Sequence, residues 1–134
     1  MTLQVQVVSP ERVLWSGEAE MVIARTVGGG DIAFLTGHAP FVGALDIGKV
    51  TIRPETGPDE VVAVHGGFVE VSNDRLSLLT DVAELASQID VQRAEAARER
   101  AEAQLRQEHD VEAEAALRRA NVRLSVAGVG AAAH

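Results

Sequence analysis

Arg93, Arg100, Arg119 and Arg123 are the residues of this chain whose type and spacing could do chemistry. A guanidinium grips a carboxylate or phosphate through two parallel hydrogen bonds, which a lysine ammonium does not. In a helix, a charged side chain meets its neighbours three and four residues away. Arg100, Arg119 and Arg123 have no acidic residue at either spacing, and Arg93 has only Asp90. On a helical wheel of about 100° per residue, Arg93 and Arg100 share one flank of an apolar seam. Arg119 and Arg123 share the same flank of a second seam and repel each other. Arg100 lies 9 residues before His109 and Arg119 lies 10 after it; Arg93 lies 16 before and Arg123 14 after. At about 1.5 Å of rise per residue, antiparallel packing brings these partners nearly level. Four cations then converge on one side of a hairpin, a site for a polyphosphate or an acidic protein surface. The plainer alternative is a solvated basic face, because exposed charge patterns often contribute little. The pattern alone does not choose between them.

The other helical arginines have acids one turn away. Arg98 has Glu95 and Glu102, Arg106 has Glu102 and Asp110, and Arg118 has Glu114. Such surface pairs contribute about 0.2–0.5 kcal/mol each. No catalytic constellation is expected. His38, His65, His109 and His134 have no metal-ligand spacing with one another or with a carboxylate cluster. His38 and His109 read as loop residues and His65 as a strand or turn residue. Gly28-Gly29-Gly30-Asp31 reads as a turn, since a phosphate loop needs a helix after it and Ile32–Leu35 reads as a strand. Walker-type and dinucleotide-binding loops are absent.

The elements that must position the arginines are two helices. Asp90 fits an N-cap, which places Val91 first in a helix running to about Gln107. Its seam is Ala94, Ala97, Ala101 and Leu105. His109-Asp110 marks a tight connection. A second helix covers Val111 to Leu124, with a seam of Ala113, Ala116-Leu117, Ala120 and Leu124. Alanine favours helix but buries little area, so the hairpin should form readily and dock only marginally. Gly128 onward is expected to be a mobile tail.

The first 87 residues read as β. Leu3–Val7 alternates apolar and polar. Val13–Trp15, Glu18–Val27, Ile32–Leu35, Phe41–Leu45, Lys49–Arg53, Glu60–His65, Gly67–Val71 and Arg75–Leu79 follow, with Asn73-Asp74 as a hairpin turn. The expectation is a β + α fold: an N-terminal β-sandwich of about ten short strands, residues 1–87, then an antiparallel two-helix hairpin, residues 88–134.

Composition sets limits. The 134 residues are 46% hydrophobic but only 3% aromatic, so the core must come from Val, Leu, Ile and Ala. A net charge of −8 argues against binding nucleic acid through phosphate neutralisation. The absence of cysteine excludes disulfides and thiolate metal sites. No apolar run approaches the roughly 20 residues of a membrane span, and no basic-then-apolar signal peptide is read at the start. The expectation is a soluble protein whose membrane association comes through a partner. Residues 1–87 hold 12 acidic and 5 basic residues, while residues 88–134 hold 8 acidic and 7 basic, the latter all arginine.

Several stretches together resemble the epsilon-subunit family of bacterial F-type ATP synthases. They are Glu20-Met21-Val22, Gly37-His38-Ala39-Pro40, Gly66-Gly67-Phe68-Val69-Glu70-Val71, Ile89-Asp90-x-x-Arg93-Ala94 and Arg123-Leu124-x-Val126-Ala127-Gly128. Order and spacing match along nearly the whole chain. Thr36 stands where the family usually has Pro, His65 where it usually has Ser, and the tail past Gly128 is longer than usual.

The resemblance implies a non-catalytic central-stalk subunit that couples proton flow to ATP synthesis and restrains ATP hydrolysis. Its implied partners are the gamma subunit, the ring of c subunits near the loop of His38, and the alpha and beta catalytic subunits when the hairpin extends. Its implied place is the cytoplasmic face of the cell membrane, peripheral, within the complex. The resemblance also supplies ATP as a regulatory ligand of the folded hairpin and does not specify Mg²⁺. The implied ATP residues are Glu84, Ile89, Asp90, Arg93, Ala94, Arg100, Arg119 and Arg123, with phosphates among the arginines and Glu84 and Asp90 toward the nucleoside. The competing reading is a free-standing ATP-sensing module.

Overall fold

The computed structural model describes residues 1–128; the tail expected beyond Gly128, with His134, lies outside the described residues. Eight strands come first: β1 (Leu3–Val8), β2 (Val13–Ala19), β3 (Met21–Thr26), β4 (Gly30–Leu35), β5 (Phe41–Arg53), β6 (Glu60–Ser72), β7 (Arg75–Leu79) and β8 (Ala83–Leu85). One 3-10 turn, Ala86–Gln88, leads to α1 (Val91–Gln107) and α2 (Val111–Val126). The strands form one sheet in the order β2-β1-β7-β6-β5-β3-β4, with β8 paired to β6 off that path. Among the described residues, β1 and β7 are the one parallel pair.

β5 and β6 make this sheet a sandwich. Each is 13 residues long, and they pair from Phe41↔Val71 to Ile52↔Glu60. The first half of β5 and the second half of β6 lie with β7, β1 and β2. The remaining halves lie with β3, β4 and β8. The pair bends at Asp46 and Gly66-Gly67, where both glycines have positive φ. A Cβ on Gly67 would fall 2.2 Å from the Leu79 carbonyl oxygen, so this bend admits no side chain. These residues read as breaks in the sequence, yet pairing skips only Asp46 and Gly66 and resumes beyond them in the same register. That is why two pairs of expected short strands are two long ones, and eight strands stand where about ten were expected. The expected Glu18–Val27 strand is likewise divided at Glu20 between β2 and β3.

Between the layers lie Leu3, Val5, Val7, Val22, Phe34, Val50, Ile52, Val62, Val64, Val69, Leu76 and Leu78, all nearly or completely buried. Their period-2 spacing is what closes each strand onto the core. Asn73 and Asp74 both have positive φ, as a type I′ hairpin turn requires.

The opposite face of β6 carries Val61, Ala63 and His65, and Glu84 of β8 pairs with Ala63. α2 lies over this face: Ala63, Ile89 and Val126 form a small buried cluster with Val61, Val122 and Ala127 around it. α1 packs on α2 through Ala94 and Ala101, facing a seam of Ala113, Ala120 and Leu124. The hairpin therefore hangs from the sandwich by α2. Asp90 caps α1 by accepting from the Arg93 N–H at 3.1 Å. Asp110 caps α2 by accepting from Glu112 and Ala113 at 2.9 and 3.3 Å.

Candidate functional site

Two of the four arginines already hold carboxylates. The Arg123 Nε–H donates to Glu84 Oε1 at 2.6 Å, joining α2 to β8 across 39 residues of sequence. Arg119 donates to Glu112 Oε1 at 2.7 Å, two turns earlier on the same helix. The two arginines of α1 differ: among the described residues, Arg93 and Arg100 have no carboxylate within ion-pair distance. Arg100 and Glu112 face each other across a shallow groove between the helices, floored by Ala97, Ala101, Ala113 and Ala116. The structure thus places Arg100, Glu112 and Arg119 along one side of the hairpin. Arg119 and Arg123 both act on His65 beneath it.

Glu84 is the hub. Its Oε1 accepts from Arg123 and from His65 Nε2 at 3.1 Å. Burial alone would raise its pKa, but the hydrogen bonds from Arg123 and His65 outweigh that and hold it below the usual carboxylate range. His65 goes the other way. Burial, then the charges of Arg123 and Arg119, depress its pKa against the opposing pull of Glu84. A carboxylate only accepts, so Nε2 carries the hydrogen and Nδ1 is bare.

The remaining residues of the expected ATP set have local structural tasks. Ile89 is buried against Ala63 and Val126, Asp90 caps α1, and Ala94 is buried in the helix seam. Asp90 Oδ1 is engaged in that cap and Glu84 Oε1 with Arg123 and His65.

The surface pairs expected from local spacing for three arginines are absent among the described residues. Arg98 and Arg106 form no ion pair. Arg118 does not take Glu114; its terminal nitrogen donates to Asp46 Oδ1 at 2.6 Å, a second tie between α2 and the sandwich. Burial raises the Asp46 pKa, but the bonds from Arg118 and the Ile47 N–H outweigh that and leave it below its ordinary value. The local window of three and four residues misses Glu112, Glu84 and Asp46 alike. Inspection at seven residues, where a helix returns to nearly the same side, would find Glu112.

His38 lies in the β4–β5 loop. Its ring is 4.9 Å from that of Phe34 and 6.1 Å from that of Phe41, and the Gly37 N–H donates to Asp74 Oδ1 at 2.7 Å. The loop is thereby fixed against the core and the β6–β7 turn. His109 is in the interhelical connection with Nδ1 3.4 Å from Glu114. Among the described residues, no three His, Asp or Glu side chains gather as a metal site, and no helix is long and apolar enough to cross a membrane.

Comparison with known proteins returns two family models in succession. The beta-sandwich domain of the ATP synthase delta/epsilon chain matches residues 2–86, and the long alpha-helix domain of the same chain matches residues 87–128. The ATP synthase epsilon chain of Streptomyces griseus is 49% identical over 127 residues, 95% of this chain and 96% of that one. The epsilon chain of Streptomyces avermitilis is 51% identical over 122 residues, 91% and 92% of the two chains. That of Brevibacillus brevis is 47% identical over 107 residues, 80% of each. In fold, a chain from the cryo-EM structure of the Euglena gracilis mitochondrial ATP synthase (OSCP, F1 and c-ring) superposes with a TM-score of 0.72 at 23% identity, over 99% of this chain and 82% of that one.

Proposed function

Because the chain belongs to the ATP synthase delta/epsilon family, we propose that it is a central-stalk rotor subunit with a removable regulatory hairpin. In this reading residues 1–87 couple proton flow to ATP synthesis by riding with the rotor. Residues 88–134 restrain ATP hydrolysis when the hairpin leaves the sandwich and extends. The subunit has no catalytic role of its own and sits at the cytoplasmic face of the membrane through the complex.

One observation favours the rotor over a free-standing nucleotide sensor. Ala44, Phe68 and Leu79 stand side by side on adjacent strands, with Phe68 55% and Leu79 39% exposed, and Val42, one pleat further along β5, 70% exposed. A contiguous bare apolar row on an otherwise well-filled sandwich is a partner surface, and the gamma subunit is the partner assigned to it. The rigid His38 loop is assigned to the c ring. On extension, Arg118 and Arg123 leave Asp46 and Glu84 and become free for acidic segments of the alpha and beta subunits, while Arg119 carries Glu112 with it on α2.

ATP is assigned to the docked hairpin. Arg93 and Arg100 supply cations that have no carboxylate partner among the described residues, and Glu112, whose side chain is 78% exposed, is readily displaced from Arg119 by a phosphate. A triphosphate among these groups ties α1 to α2 and favours docking. The reading assigns no site to Mg²⁺.

Co-expression with the gamma subunit tests the rotor: the wild-type chain co-purifies, Phe68→Glu does not, and a wild-type chain that stays monomeric beside gamma sinks the assignment. Calorimetry of the isolated chain tests the ligand. Arg93→Ala should weaken ATP binding by roughly 1.5–3 kcal/mol, the range for hydrogen bonds to charged groups. Equal affinity in wild type and Arg119→Ala would remove the phosphate site.

A further inference from the structure

His65 is a buried titratable group to which neither the rotor nor the nucleotide reading gives a task. Its side chain is 4% exposed, on the face of β6 that α2 covers. Among the described residues, Nδ1 is buried with no hydrogen-bond partner. The charged groups around it come from two elements. Glu84 of β8 takes the Nε2 hydrogen, while Arg123 of α2 binds the same carboxylate oxygen and Arg119 lies one turn back on α2. β5 places uncharged Ile47 opposite His65, and the neighbouring Asp46 is held by Arg118. A second proton, at Nδ1, would be desolvated, without an acceptor, and beside two guanidinium cations.

We propose that His65 is a proton-operated release: its protonation favours the state in which α2 has left the sandwich. The inference rests on the reading that the hairpin undocks, and adds what drives it. Lifting α2 exposes the ring and removes both arginines, while Glu84 stays beside it on β8. The imidazole then regains its affinity for a proton. The released state binds a proton that the docked state excludes, so docking is at full strength above the ordinary histidine range. It is lost as pH falls through that range toward the depressed docked value. Acidification around the enzyme would therefore populate the extended arm and engage the restraint on hydrolysis.

The chain has no native cysteine, so a dye pair at Thr56→Cys and Gln107→Cys reports hairpin position in the full chain by energy transfer. From pH 7.5 to 5.5 the released-to-docked ratio should rise, by up to about tenfold, the limit for an imidazole of ordinary affinity once released. His65→Gln, which can still donate to Glu84 but does not titrate, should stay flat over that range. A flat wild-type profile, or an equal response in His65→Gln, overturns the proposal. If the glutamine variant does not fold, the His65 ring resonances in the wild type decide: a ring titrating independently of the transfer signal also overturns it. The combined reversal Arg118→Glu, Arg123→Glu locates a failure. Should it lower transfer at pH 7.5 while the wild type is flat with pH, the hairpin moves and only the histidine release is wrong. Should it leave transfer unchanged, the undocking reading fails as well.

Discussion

In the sandwich, Leu3, Val7, Val22, Phe34, Val69 and Leu78 are completely buried between two layers; in the hairpin, the buried residues are mainly Ala94, Ala101, Ala113 and Ala120, with Leu124 and Val126 near the end. A fully buried Val, Leu or Phe contributes about 1.5–3 kcal/mol, and an alanine methyl roughly 0.8. The hairpin makes up part of the difference with ion pairs, Arg123–Glu84 and Arg118–Asp46, which tie α2 to the sandwich. Apolar burial is lost only by exposing surface to water. An ion pair can be exchanged for another partner, a phosphate or a protein carboxylate, at small net cost. The same chain thus joins a permanent core to an element whose hold is strong enough to persist and weak enough to be replaced.

Two substitutions should separate the regions most sharply. Phe34→Ala should cost about 3–5 kcal/mol and bring down the whole molecule, read as a lowered urea midpoint in both strand and helix signals. Leu124→Ala, in the helix seam, should cost about 2–5 kcal/mol of hairpin stability yet leave the sandwich transition where it was. If Leu124→Ala moved the sandwich transition equally, the two regions would be one cooperative unit and the contrast would fall.

The contrast is partly legible in the sequence, for reasons that differ by region. Alternation at Leu3-Val5-Val7, the Asn73-Asp74 turn and the Asp90 cap are local patterns, and each stands in the structure where the sequence places it; of the expected seams, Ala94, Ala101, Ala113, Ala120 and Leu124 are buried, while Ala97, Leu105, Ala116 and Leu117 are only partly so. β8 is not visible, because three residues carry no periodicity, and it is β8 that brings Glu84 to Arg123. Nor are the bends of β5 and β6, where Asp46 and Gly66-Gly67 punctuate the chain without shifting the register of pairing. The four arginines stand out in the sequence because they lack near neighbours. The tertiary fold supplies Glu84 to Arg123, α2 itself supplies Glu112 to Arg119 from two turns back, and among the described residues the two on α1 are left without a carboxylate. Packing decides only the pairing of Arg123; that of Arg119 is set along its own helix.

Arg123→Ala sharpens the electrostatic half of the contrast. It removes a partner from a carboxylate that also holds His65 and should weaken docking by about 1–3 kcal/mol, with the sandwich transition unchanged. Its pH signature is specific. The docked Glu84 pKa is lowered, chiefly by Arg123 and His65 acting against burial, so the pair's contribution is complete above the ordinary carboxylate pKa. It fades as pH falls through the lowered docked value. Amide exchange of α2 should show this acid-side loss in the wild type and a smaller one in Arg123→Ala. An acid-side loss of the same size in both would assign it elsewhere.

The smallest effect belongs to Asp46 and Arg118. Their 2.6 Å contact is shorter than most ion pairs, and it spans 72 residues of sequence, which makes it look important. Yet the Arg118 side chain is half exposed, so water and salt screen the charges, and the desolvation of Asp46 offsets part of the attraction. Asp46→Asn should therefore cost only about 0.2–1 kcal/mol of docking, and the loss should shrink further as ionic strength rises. A double-mutant cycle with Arg118→Gln isolates the pair from each residue's other contacts. A coupling larger than that of Arg123 with Glu84 would reverse the ranking of the two ties and make Arg118, not Arg123, the principal anchor of the hairpin.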